Sequence, residues 1–240
     1  MTELLNTPYK NKILRKMSAA DLALLAPHME RCSLDLRAML EVSKTPIETI
    51  YFFEDGIGSI VARMPDGHDT EIGFIGCEGM TGSAVVMGDD RTIHDCYVQL
   101  PGDAWRIDVE PFSAALAESP TLRPYLLRFV QSLHIQTGFT ALVNARSKLE
   151  DRLARWLLMC EDRMGGPRLV ITHELLSIML GVRRPGVTVA LQLLEGRGLS
   201  KSRRGEITIR DREGLIAMAN GGYGDPEAEY ARLMRTISAR

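Results

Sequence analysis

Three rhythms of apolar and polar positions divide the chain. Over residues 10–33, Leu14, Met17, Leu22, Leu25 and Met29 recur near helical spacing, with Ser18 or Asp21 as candidate caps. This predicts a short helical preface. From about 34 to 112 the texture changes to short apolar or alternating runs. Turn signals separate them at Asp55-Gly56, Asp66-Gly67, Gly76, Gly79, Gly82, Gly88-Asp89-Asp90 and Pro101-Gly102. Tyr51–Phe53, Ser59–Ala62, Glu71–Ile75 and Cys96–Leu100 read as strands, and their close spacing predicts a β-sandwich or barrel-like roll.

A long helix follows, starting at Thr121–Leu122, because Pro124 is tolerated in a first turn. Leu122, Leu126, Phe129, Leu133, Gln136, Thr140 and Val143 fall at 4-3-4-3-4-3 spacing along it. That spacing predicts a heptad seam between two copies of the chain; the other reading is a helix laid on its own sheet. Ser147-Lys-Leu-Glu150 has the form of a capping box and marks a new helix, with a hinge before it. Leu149, Leu153, Trp156, Leu157, Cys160 and Met164 share one face of this helix, which Gly165-Gly166-Pro167 ends.

Residues 171–195 carry the sharpest pattern. Thr172 is placed to cap a helix running to Leu180, and Gly181 suits a tight turn. A second helix begins at Arg183–Arg184 with Pro185 in its first turn. Leu176, Leu180, Val182, Val187, Ala190 and Leu191 form a spine between the helices, and Thr188 and Gln192 point outward. Gly196-Arg-Gly198 ends the second helix. Leu199–Ser202, Arg203-Arg204-Gly205 and Glu206–Arg210 then read as a hairpin with a basic tip. Helix, turn, helix and basic hairpin make a winged helix-turn-helix; the plainer alternative is a helical hairpin that only packs.

Charge strengthens the first alternative. Lys+Arg number 29 and Asp+Glu 31, for a net charge of −2. Residues 1–146 hold 13 basic and 19 acidic side chains; residues 147–240 hold 16 and 12. Within 183–212 there are 8 basic against 3 acidic. A locally basic end on an acidic chain predicts a polyanionic partner. The predicted DNA contacts are Thr172, His173, Arg183, Arg184, Thr188, Lys201, Arg203 and Arg204. Arg183 and Arg184 suit base edges or flanking phosphates, Thr172 and the amides beside it a phosphate, and the wing cations phosphates alone.

Composition excludes several classes. At 240 residues, 45% hydrophobic and 25% charged, the chain is of ordinary globular make-up. No apolar run nears the ~18–20 residues of a membrane helix, and the first residues lack the pattern of a signal peptide. Cys32, Cys77, Cys96 and Cys160 are scattered, which predicts reduced thiols in a cytoplasmic protein and no iron–sulfur cluster. His28, His68, His94 and His134 are isolated, so no metal or haem site is predicted. A metal enzyme in the roll stays open only through His68-Asp69 and His94-Asp95.

The chain resembles the Crp/Fnr family of bacterial transcription regulators over roughly residues 13–218. Arg152-Leu-Ala-Arg-Trp-Leu-Leu158 and Ile171–Glu195 carry the likeness most specifically; Tyr51–Gly56 and Gly76–Gly82 match roll motifs. The resemblance implies an α+β chain in three parts. These are an N-terminal double-stranded β-helix (a jelly-roll-like cyclic-nucleotide-binding fold, 1–120), a long dimerisation helix (121–146) and a C-terminal winged helix-turn-helix (147–240). It implies a homodimer on two-fold double-stranded DNA, contact with RNA polymerase, no membrane and no catalysis. It also implies an effector site in the roll.

That site departs from relatives that bind cyclic AMP. Their Gly-Glu pair appears here as Gly82-Ser83, with Glu78 four residues earlier. Their Arg-Ser pair appears as Arg91-Thr92, and their adenine-contacting Thr-Ser as Thr137-Gly138. The candidate effector residues are therefore Glu78, Gly82, Ser83, Arg91, Thr92 and Thr137. Cyclic AMP is disfavoured, leaving an unidentified small molecule or a vestigial roll. The base readout departs as well: Arg184 matches the family's first reading Arg, but Pro185 and Val189 replace a Glu and a second Arg. A different operator is expected. The open alternative is a winged domain that binds a protein rather than DNA.

Overall fold

The computed structural model describes residues 9–64 and 69–235. The Asp66-Gly67 turn and His68 lie outside the described residues. The chain forms two compact units: residues 1–60, 74–134 and 229–240 make one, and 61–73 with 135–228 the other.

In the first unit, Ser18 accepts from the Asp21 amide and Asn11 from the Ile13 and Leu14 amides. They cap α1 (Lys12–Lys16) and α2 (Ala19–Leu25), so the preface is two short helices and a 3-10 turn. The preface ends sooner than its periodicity suggests, because Glu30–Leu34 is a strand, β1. Its alternation is only weakly apolar, which hides it in the sequence. Strands β2 (Met39–Glu41), β3 (Thr49–Phe53), β4 (Ile57–Arg63) and β5 (Asp69–Ile75) follow. Next come the short helix α3 (Ser83–Met87), then β6 (Asp95–Leu100), β7 (Gly102–Asp108) and α4 (Val109–Glu118). One sheet has the order β1-β7-β3, another β2-β6-β4-β5. The core gathers Ile50, Phe52, Phe53, Val98, Ala104 and Phe112 from these elements.

Helix α5 (Leu122–Arg146) begins where expected. The Ser119 hydroxyl accepts from the Leu122 amide and donates to buried Asp21, which also accepts from Thr121. Here the structure corrects the predicted seam. Leu122, Leu126, Phe129 and Leu133 belong to the core of the first unit, with at most 9% of their surface exposed. Gln136 and Val143 are buried as well, and the Thr140 hydroxyl donates back to the Gln136 carbonyl at 2.9 Å. Core packing and dimer packing both ask for apolar residues at this spacing, so the spacing alone does not separate them.

The second unit is built on α6 (Leu149–Met164). Its cap is Lys148, whose amide donates to Asp151, one residue later than the predicted Ser147–Glu150 box. The helix is buried all round rather than on one face: Leu153 to Cys160 are each at most 6% exposed, Arg155 included. Burial lowers the pKa of Arg155, whose Nε donates to the Gly222 carbonyl at 2.9 Å. The Trp156 indole donates to Glu71 at 3.0 Å, tying segment 61–73 into this unit. Strand β8 (Arg168–Leu169), helices α7 (His173–Met179) and α8 (Arg184–Gly196), and strands β9 (Ser200–Arg203) and β10 (Glu206–Ile209) follow in order. The wing sheet has the order β8-β10-β9, a third strand beyond the predicted hairpin. Helices α9 (Arg212–Met218) and α10 (Asp225–Leu233) follow. Arg212 pairs with Glu161 and Asp162, and Tyr223 donates to Asp162 at 2.6 Å, holding α9 to α6. Among the described residues no helix is long and apolar enough to cross a membrane.

Candidate nucleic-acid interface

The two helices of the motif are set by their turn. Thr172 accepts from the Leu175 amide at 3.2 Å and caps α7. Gly181 has φ +60, the left-handed conformation that lets the chain reverse within a few residues. Arg183 is the N-cap of α8 and Pro185 lies in its first turn. Leu176, Leu180, Val187, Ala190 and Leu191 are buried along the seam between α7 and α8. That burial fixes which face of α8 remains outside.

The outer face carries Arg183, Arg184, Pro185, Val189 and Gln192, all exposed. The wing adds Lys201, Arg203 and Arg204, also exposed. Among the described residues none of these five cations is in an ion pair. By contrast Arg31, Arg63, Arg91, Arg106, Arg212 and Arg232 all hold carboxylates. An unpaired exposed guanidinium costs little in water and is free to meet a phosphate or a guanine edge.

Two predicted contacts are placed differently. The Thr188 hydroxyl donates to the Arg184 carbonyl at 3.3 Å and sits 3.2 Å from His173 Nδ1. With its proton on that carbonyl, Thr188 accepts from the imidazole. His173 and Thr188 thus join α7 to α8, and Thr188 is half-buried rather than outward.

Most of the candidate effector residues are engaged by their own neighbours. Arg91 donates to Asp90 through Nε at 2.6 Å and Nη2 at 2.9 Å, out in solvent. The Glu78 side chain turns back to the Gly76 amide, and Thr92 accepts from the His94 amide at 3.1 Å. Ser83 begins α3, and Thr137 is half-buried on α5. Gly82 has φ +77 and packs against Ile50 too closely for a side chain. Its amide donates to Glu41 at 2.6 Å. Burial pushes the Glu41 carboxyl up from its ordinary range, and the buried Cys96 thiol, its partner in the β2–β6 register, is pushed well up by burial, then by Glu41. No sequence signal marks Glu41; only the fold brings it to Gly82.

The profile of the Crp-like helix-turn-helix domain matches residues 151–218. FixK2 from Bradyrhizobium japonicum superposes with a TM-score of 0.69 at 15% identity, over 79% of this chain and 96% of that one. The helix-turn-helix of this chain is thus Crp-like. A Crp/Fnr-family transcriptional regulator from Eubacterium rectale superposes with a TM-score of 0.67 at 18% identity, over 87% of this chain and 98% of its own. The c-di-GMP-responsive global regulator CLP of Xanthomonas campestris gives 0.58 at 18% identity, over 81% of this chain and 100% of its own. These likenesses establish the Crp/Fnr fold. No curated protein matches the chain.

Proposed function

We propose that this Crp/Fnr-type chain is a homodimeric, sequence-specific DNA-binding transcription regulator of the cytoplasm. The five unpaired cations on α8 and the wing carry this reading. Arg184 reads a base edge in the major groove, Arg183 lies beside it, and Lys201, Arg203 and Arg204 hold phosphates. The Thr172 hydroxyl is engaged at the Leu175 amide, so its part is to aim the start of α7.

The partner in the dimer is a second copy laid along the exposed side of α5. Leu127, Gln131, His134, Gly138, Ala141 and Ala145 are exposed at 4-3-4-3-4 spacing. Residues 129–145 contain no Lys, Arg, Asp or Glu. A solvated helix face normally carries charge, and Gly138, Ala141 and Ala145 allow close approach of two helices. Two copies so paired present two recognition helices to half-sites about 34 Å apart.

Any effector of the roll is a molecule other than cyclic AMP. A cyclic phosphate needs a free cation and free amides. Here Arg91 is neutralised by Asp90, and Glu41 already occupies the Gly82 amide.

The test is fluorescence anisotropy on DNA from upstream of the protein's own gene against random DNA, at two salt concentrations, with and without cyclic AMP. Preference for the upstream DNA, falling steeply with salt and indifferent to cyclic AMP, is the expected result. Binding with a flat salt dependence would favour a protein partner for the winged domain. An Ala141→Glu variant is expected to sediment as a monomer.

A further inference from the structure

On the outer face of α8, Pro185, Val189 and Gln192 fall at i, i+4 and i+7 and form one stripe. Val189 is at its centre and is 62% exposed. Its neighbours on the inner side, Val187, Ala190 and Leu191, are at most 4% exposed. The polar residue beside it, Thr188, has its hydroxyl engaged by Arg184 and His173. The middle of the stripe therefore offers no hydrogen bond from a side chain, only two methyl groups. Arg184 stands unpaired at one end and the Gln192 amide at the other.

A major groove presents one apolar feature on its base edges, the 5-methyl group of thymine. We infer that Val189 reads a thymine in each half-site through that methyl group. The inference rests on the reading of α8 as a recognition helix and specifies what its centre recognises. From Arg184 to Val189 is about 7.5 Å along the helix at ~1.5 Å per residue, near two base-pair steps of ~3.4 Å. The thymine is accordingly expected about two steps from the base held by Arg184. His173 and Thr188 act as positioning residues, because their contact fixes α8 against α7.

The experiment begins with duplexes enriched by the full-length protein from a random pool. In the tightest duplex each thymine is replaced singly by uracil, which keeps the pairing and removes only the methyl group. One position per half-site is expected to lose about fourfold in affinity, the size expected for one buried methyl group. Val189→Ala, at an exposed position and so melting like wild type, is expected to lose about sixteenfold on the thymine duplex, because both half-sites forfeit the contact, and to bind thymine and uracil equally at that position. The inference is overturned if no uracil substitution weakens binding, or if the same loss persists in Val189→Ala. Failure to enrich any duplex would overturn the recognition-helix reading itself, a result distinct from both.

Discussion

Arg91 in the first unit and Arg184 in the second are both exposed, both lie at the edge of a loop, and both are arginines that the sequence pattern singles out. Their surroundings differ. Arg91 follows Asp89 and Asp90, and its guanidinium forks onto Asp90 so that each holds the other in its charged form. Arg184 follows Val182 and Arg183, and among the described residues it is in no ion pair. A motif supplies a cation; the carboxylates that fold around it decide whether that cation is available to a polyanion. The same contrast separates Glu41, which fills an amide in the first unit, from the exposed start of α8.

The largest expected effect tests the free arginine. Arg184→Ala should lose about 100-fold on an enriched duplex, since each dimer forfeits two base contacts, while random DNA falls less than about threefold. Equal losses on both would make Arg184 another phosphate ligand and blunt the contrast. Next comes Arg203→Ala, expected to weaken specific and random DNA by the same factor, roughly threefold to tenfold. The slope of log affinity against log salt should fall by about one for each phosphate no longer held.

A smaller effect is expected at Glu41. Burial raises its folded-state pKa above the unfolded value, so the folded state binds the extra proton. Its contribution to stability is complete below the unfolded pKa and is lost as pH rises through the folded pKa. Glu41→Gln keeps an acceptor for the Gly82 amide and removes this loss. Its melting temperature should match wild type near pH 4 and exceed it by about 2 °C near pH 8. A gap that is constant with pH would contradict burial as the cause. The smallest effect belongs to Arg91→Ala, which should leave melting temperature and DNA affinity unchanged, with or without cyclic AMP. A cyclic AMP response that vanished in this variant would show the Arg91–Asp90 fork opening for a ligand.

Local signals in the sequence carried much of the architecture. Gly181, Pro185, the Thr172 cap and the basic hairpin tip act within a few residues of one another, so they place α7, α8 and the wing without knowledge of the rest. The strands around Tyr51–Phe53, Ser59–Ala62, Glu71–Ile75 and Cys96–Leu100 were legible for the same reason, being short, apolar and bounded by turns. β1 and β7 were not, because their faces are mixed in polarity and they become strands by pairing with each other.

What depended on distant residues was settled only in three dimensions. The 4-3 spacing on α5 specified a buried stripe but not its partner. A shared core with Phe52 and Phe112 makes its Leu122–Leu133 half internal, and the Leu127–Ala145 side is outside. Thr188 is polar and near the outer face by spacing, yet His173, fifteen residues away, engages it. Glu41 reaches Gly82 across forty-one residues through the fold alone. Caps and turns are short-range and readable from neighbours in the chain; a seam's partner and a charge's neutrality are set by whichever residues the fold brings alongside.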